Sequence, residues 1–144
     1  MSEADEGGPA LFRLVRFWSR RWAGQAATRT GQAAHVQHIL VLEAVHTDPG
    51  EATVGTVAHQ LGLDHSGASR MVKDAVDAGY LERATSAHDR RRAALRLTDS
   101  GHALLAGARE WQRHAFADLT ASWDEPDRLR FAAYLSRLAD EVGA

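Results

Sequence analysis

Between Val54 and Gly101 two short helical patterns are joined by a tight turn and followed at once by a hairpin whose tip holds three consecutive arginines. That order leaves few folds open. The first pattern sets Val54, Val57, Ala58 and Leu61 on one face, with Thr53 as N-cap and Gly62 placed to close the helix in the left-handed conformation. Asp64 sits at a second N-cap position, and Ala68, Val72, Ala75 and Val76 then recur at intervals of three and four until Gly79 stops the run. The opposite face of this second helix offers Ser66, Ser69, Arg70 and Lys73. All four are hydrogen-bond donors, on a cylinder narrow enough to enter a major groove.

After Gly79 the stretch Tyr80-Leu81-Glu82-Arg83 alternates, as does Ala94-Leu95-Arg96-Leu97, and Ser86, His88, Asp89, Arg90, Arg91 and Arg92 lie between them. Two strands with a basic tip make a wing. Arginine at such a tip suits a narrow minor groove, where the negative potential is strongest and a planar, weakly hydrated cation fits best. The expected fold is therefore mainly α with a small β-hairpin wing: a winged helix-turn-helix.

The stretch TVAHQLGLDHSGASRMVKDAVDAGYLER, followed by DRRRAALRLTDSG, resembles the MarR-type transcriptional regulators. Their wing typically reads Asp, any residue, Arg, then a Leu-Thr pair and a glycine, and Asp89, Arg91, Leu97, Thr98 and Gly101 occupy those places. The resemblance implies that the wing aspartate, Asp89, orients Arg91 while Arg90 probes the minor groove; the sequence alone leaves the two arginines interchangeable in these roles. It gives a DNA-binding set of Ser66, Gly67, Ser69, Arg70 and Lys73 on the helix and His88, Asp89, Arg90, Arg91 and Arg92 on the wing. Gly67 departs from the pattern, since the family more often has a hydroxyl residue or another helix former there. A glycine inside a helix costs about 1 kcal/mol against alanine, but near the N-terminus it lets a phosphate approach the backbone.

The net charge of −2 looks wrong for a nucleic-acid binder until it is divided along the chain. Residues 65 to 98 hold seven Arg or Lys and four Asp or Glu, a balance of +3, and residues 11 to 30 hold five Arg and no acid, leaving −10 for the rest. Charge is segregated, and the part expected to face DNA is positive. With 144 residues and 44% hydrophobic content the chain suits one domain of ordinary size. It has no cysteine, which excludes disulfides, thiolate metal sites and thiol-based peroxide sensing. No apolar run approaches the roughly 20 residues of a membrane span, and the acidic start from Met1 to Glu6 is unlike a secretion signal, so a cytoplasmic protein with no membrane partner is expected.

The flanking segments read as helices. Leu11, Val15, Trp18 and Trp22 form a stripe widened by Leu14, with Arg13, Arg16, Arg20 and Arg21 on the other side. Val36, Ile39, Leu40 and Val45 mark a second element that ends before the turn signal Asp48-Pro49-Gly50. After Thr98, a good N-cap, Leu104, Ala108, Trp111, Ala115 and Leu119 make a long stripe, and Asp124-Glu125-Pro126 opens a last helix carrying Phe131, Leu135, Leu138 and Val142. These stripes exceed what a winged module needs for its own core. By the resemblance they are dimerisation helices, at about 9–30 and 99–143, flanking a winged helix-turn-helix at about 33–98 within a single domain over 1–144. A homodimer would then place two recognition helices on half-sites of a pseudo-palindromic duplex operator, about one DNA turn apart.

A ligand-responsive repressor is the function the resemblance implies, with a small organic effector bound near Trp18, Trp22, His38 and Trp111 between the dimer helices and the DNA-binding lobe. No cofactor is expected. A zinc-responsive regulator of the same fold is the first alternative, resting on His35 with His38 and on Glu110 with His114, pairs spaced to share a helix face. The remaining histidines are scattered and no compact ligand motif appears. A second alternative is a winged helix that binds a protein, which leaves the wing arginines unexplained. An enzyme is not expected. There is no nucleophile motif, glycine-rich phosphate loop or HExxH pair, and the paired acids Asp124 and Glu125 sit at a helix start where capping accounts for them.

Overall fold

The computed structural model describes residues 2–30 and 33–144, and side chains for all of these except residues 4, 20, 22–30 and 33–35. The chain divides into two compact units, Met1–His38 and Ile39–Ala144.

In the first unit a short 3-10 turn, Glu3–Glu6, leads into the helix α1, Gly7–Thr30. The Asp5 carboxylate accepts from the Ser2 N–H at 2.8 Å and starts the turn. Leu11, Phe12, Leu14, Val15 and Phe17 are exposed along α1, Phe12 by 70%. The Arg21 guanidinium lies over the Phe17 ring at 3.9 Å, so part of the basic face is stacked on part of the apolar one.

The helix α2, Ala33–Thr47, runs into the second unit. There follow α3 (Val54–Leu61), α4 (His65–Asp77), the antiparallel strands β1 (Leu81–Thr85) and β2 (Ala93–Leu97), α5 (Asp99–Leu119) and α6 (Glu125–Val142). The strand register pairs Leu81 with Leu97 and Thr85 with Ala93, and Ala52 adds one bridge to Leu95 on the other side of β2.

Each helix boundary has a local cause. Thr53 and Thr56 form a reciprocal capping box at the start of α3, and Gly62, at φ 63°, lets the Leu63 N–H reach back to the Ala58 carbonyl at 2.9 Å. Asp64 caps α4 through the Gly67 N–H, Thr98 caps α5 through the Gly101 N–H, and Asp124 caps α6 through the Asp127 N–H. At the end of α4, Gly79 has φ 85°, and Tyr80 and Gly79 donate to the Ala75 and Val76 carbonyls. This is the double closure that stops a helix sharply.

The core gathers Val41, Leu42, Ala44 and Val45 of α2, Ala52, Val57 of α3, Ala68, Val72 and Ala75 of α4, Leu81 of β1 and Leu95 of β2. Burying each of the larger of these side chains is worth about 1.5–3 kcal/mol. Two stripes differ from the expectation. On α2 the buried set includes Val41 and Leu42, while Leu40 is 46% exposed. Ile39 to Leu42 is an unbroken apolar run, and such a run carries no polar residue to mark which side faces the core. On α5 the fully buried residues are Gly101 and Leu105, whereas Leu119 of the expected stripe is exposed.

Candidate nucleic-acid interface

The exposed side of α4 holds Ser66, Arg70 and Lys73, with Gly67 and Ser69 half-buried. Its inner side is pinned by three fully buried residues, Ala68, Val72 and Ala75, so the polar side is presented in one orientation. Lys73 is paired with Asp77 at 2.6 Å, and this carboxylate raises the ammonium above its ordinary value. The pair is exposed on both sides, where solvent screens it and leaves it weak.

Gly67 has a different use from the one expected. Its N–H donates to the Asp64 carboxylate at 2.7 Å, and a Cβ there would lie 2.8 Å from the same oxygen. The space that glycine leaves is filled by the helix's own cap.

The wing tip is a hydrogen-bonded turn. The Arg92 N–H donates to the Asp89 carbonyl at 3.0 Å, which puts Arg90 and Arg91 at the two central positions of a four-residue turn. The Asp89 carboxylate accepts from the Arg91 N–H at 2.9 Å. Asp89 thus sets the direction of Arg91 through the backbone and leaves the guanidinium free of that carboxylate. His88, Asp89, Arg90, Arg91 and Arg92 are all exposed.

Behind the tip lies a feature the sequence reading passed over. Ser86, at the start of the wing loop, is buried, and its hydroxyl donates to the Glu51 carboxylate while accepting from the His88 and Asp89 N–H groups, each at 3.1 Å. The other Glu51 oxygen accepts from the Ala87 N–H at 2.7 Å. These bonds, the Ser86 hydroxyl first, hold the Glu51 carboxyl below its ordinary value, with smaller help from His88 and Arg96. Glu51 precedes Ala52, whose carbonyl accepts from the Leu95 N–H at 2.8 Å. One short segment between α2 and α3 therefore holds both the base and the loop of the wing. Nothing in the local pattern marks a loop glutamate as the partner of a serine 35 positions onward.

The far side of the unit is fastened as firmly. The Gly79 carbonyl accepts from the Thr98 hydroxyl at 2.5 Å and the Ser100 hydroxyl at 2.9 Å. Gly101 lies against the Tyr80 carbonyl so closely that a Cβ would sit 2.1 Å from its oxygen. Thr98 and Gly101, which entered as part of a sequence signature, thus have a hydrogen-bonding and a steric reason respectively. Farther along α5, Arg109 grips Glu43 of α2 with two nitrogens at 2.9 and 3.4 Å, and this bond raises the guanidinium above its usual value.

The other candidate residues are dispersed. His114 lies 3.7 Å from Glu110, but both are exposed and Arg113 holds the same carboxyl group at 3.2 Å, as in an ordinary surface ion pair. Among the described residues no three His, Asp or Glu cluster as a metal would require. Of the expected effector residues, Trp18 and His38 belong to the first unit and Trp111 to the second, all half-buried. The side chains of Trp22 and His35 lie outside the described ones. No helix among the described residues is long and apolar enough to cross a membrane.

A three-helix lobe closed by a two-stranded hairpin, with a polar helix and a cationic turn exposed together, defines a winged helix-turn-helix protein. The family model described as MarR family matches residues 35–92, from α2 to the wing tip. Over those residues, which are less than half of the chain, the sequence is similar to that family. No curated protein matches the sequence. Among solved structures, a MarR family protein from Bacillus stearothermophilus shares the fold with a TM-score of 0.72 at 19% identity, over 100% of this chain and 99% of that one. A mutant of S. aureus MepR bound to an oligodeoxyribonucleotide gives 0.56 at 20% identity, over 93% of this chain and 96% of that one. Streptococcus pneumoniae FabT in complex with DNA gives 0.59 at 17% identity, over 75% of each chain.

Proposed function

We propose that this protein is a sequence-specific regulator that binds double-stranded DNA as a homodimer, with α4 in the major groove and the wing arginines in the adjacent minor groove. The observation that carries this reading is the joint exposure of the α4 polar side and the arginine turn on a rigidly buried support. Ser66, Ser69 and Arg70 would meet base edges, Lys73 a phosphate, and Arg90, Arg91 and Arg92 the minor groove and its flanking phosphates, with His88 beside them. Gly67 and Asp89 would shape the backbone that presents them. The DNA complexes of MepR and FabT are consistent with this use of the fold.

The homodimer is supported by apolar side chains left exposed on the flanking helices. Phe12 and Val15 on α1, Leu119 on α5, and Leu129, Leu135 and Val142 on α6 are large and water-facing in the single chain, an arrangement that favours association. Repression in the cytoplasm is the mode of action proposed, relieved by a small organic effector. Such an effector acts by binding more tightly to a dimer whose recognition helices no longer match the groove spacing.

The test is equilibrium binding of the purified protein to duplex fragments selected from genomic DNA, across a salt series. The logarithm of the binding constant should fall linearly with that of salt, by about 0.9 per phosphate contact. A flat response, or no affinity for any duplex at low ionic strength, would refute the proposal.

A further inference from the structure

We propose that Glu51 and Ser86 are positioning residues for DNA binding, a carboxylate and a hydroxyl that touch no DNA themselves but hold the wing loop so that its arginines enter the minor groove. This rests on the DNA-binding role proposed above and adds to it residues that neither the family pattern nor charge alone would select.

The geometry is specific. The loop from residue 86 to residue 92 is closed by two backbone bonds, Ser86 N–H to the Arg92 carbonyl at 3.1 Å and Arg92 N–H to the Asp89 carbonyl at 3.0 Å. Those bonds shape the loop but tie it only to itself and to the two strands. Its attachment to the rest of the lobe runs through Glu51, which holds the Ser86 hydroxyl and the Ala87 N–H with its two oxygens. Ser86 then passes the constraint on, because its oxygen also accepts from the His88 and Asp89 N–H groups. From Glu51 to the Asp89 N–H the path is continuous hydrogen bonding.

The other end of the path is equally well placed. Glu51 is two residues from Thr53, the N-cap of α3, and Thr56 of that cap donates to Asp48 at 2.8 Å. The wing loop is thereby referenced to the helix-turn-helix that carries α4, so the separation of recognition helix and arginine turn is set before DNA arrives. Ordering the turn in advance removes an entropy cost from binding.

Charge and position make opposite predictions, which gives the test its force. Glu51 is an anion beside a surface meant for polyanionic DNA. If it acted only by its charge, Glu51→Ala would tighten binding. As a positioning residue its loss should weaken binding roughly tenfold, a change of about 1.4 kcal/mol, and lower the salt slope by about one for each wing arginine that leaves its phosphates. Ser86→Ala should do the same with no change of charge, and Glu51→Gln, which keeps an acceptor, should recover part of the loss.

The experiment measures duplex binding over a salt series for the unaltered protein, Glu51→Ala, Glu51→Gln, Ser86→Ala, Arg90→Ala, and the Glu51→Ala/Arg90→Ala double variant, with circular dichroism to confirm folding. Weaker binding by Glu51→Ala and Ser86→Ala, and a double variant little worse than Arg90→Ala alone, is the expected result. Unchanged or tighter binding by Glu51→Ala, or full additivity with Arg90→Ala, would overturn the positioning role while leaving DNA binding intact. Failure of the unaltered protein to bind any duplex removes the DNA-binding role itself, a separate and recognisable result.

Discussion

Replacing Gly101 by alanine should be among the most damaging single-methyl changes in this protein. The added Cβ would lie 2.1 Å from the Tyr80 carbonyl oxygen and 3.1 Å from its carbon. Neither side of that contact can yield cheaply. The Tyr80 oxygen accepts from the Thr98 N–H at 3.1 Å, and the preceding carbonyl, of Gly79, is held by the Thr98 and Ser100 hydroxyls. Relieving the overlap therefore strains backbone, at roughly 1–3 kcal/mol, and loosens a hydrogen bond worth about 1 kcal/mol. Alanine's better helix propensity returns at most about 1 kcal/mol. The net loss is about 2 kcal/mol, or a fall in Tm of roughly 4–8 °C for a chain of this size. Calorimetry or circular dichroism at fixed protein concentration reads it, since the proposed dimerisation would make Tm concentration-dependent. Gly107→Ala, on the same helix with nothing within 4 Å of its added Cβ, is the control and should be neutral or stabilising by up to about 1 kcal/mol. If Gly101→Ala melts at or above the temperature of the unaltered protein, the steric account of the position is wrong.

Asp64→Ala removes the α4 cap and should cost about 1 kcal/mol by thermal melting; no change would mean that the Gly67 N–H finds another acceptor. Ser69→Ala and Arg70→Ala should alter the preferred sequence in a selection from random duplexes as well as the affinity, because the proposed docking of α4 gives their side chains to base edges, and identical selected motifs would rule that out. The Glu51 carboxyl titrates below its ordinary 4.5 when folded. Its contribution to the wing is therefore complete above that value and lost as pH falls through the lowered one. Hydrogen exchange at the Ala87 amide, corrected for intrinsic rate, should accelerate on acidification below the ordinary glutamate value, and Glu51→Gln should abolish the dependence; a profile shared by both proteins would refute the assignment. Leu135→Ala should shift the dimer towards monomer in sedimentation at low concentration, and an unaltered protein that is already monomeric would dispose of the association surface.

Much of this architecture was legible because its determinants are local. Thr53, Asp64, Thr98 and Asp124 act within three residues of themselves, so their capping follows from the order of residues alone. The arginine turn was legible for the same reason, with Asp89 and Arg91 two positions apart. The inward side of α2 was not, because Ile39 to Leu42 offers four apolar residues in a row and only the packing of α3, α4 and β2 selects among them. Gly101 was visible as a signature but not as a necessity, since the carbonyl it must clear belongs to Tyr80 on another element. Glu51 was missed altogether. A carboxylate in a loop reads as solvated surface until the fold delivers Ser86 to it.

The fastening of the first turn of α5 to the Gly79 carbonyl gives that helix the properties of a rigid lever. Its 21 residues span about 31 Å, with the pivot at the end where the recognition helix stops. A sideways displacement of about 3 Å at the distant tip corresponds to a tilt of roughly 6° at the pivot, by the helix rise alone. With two hydroxyls and a glycine contact clamping the joint, little of that rotation is lost as play. Under the proposed docking, whatever pushes on the remote end of α5 would steer the angle at which α4 meets a groove.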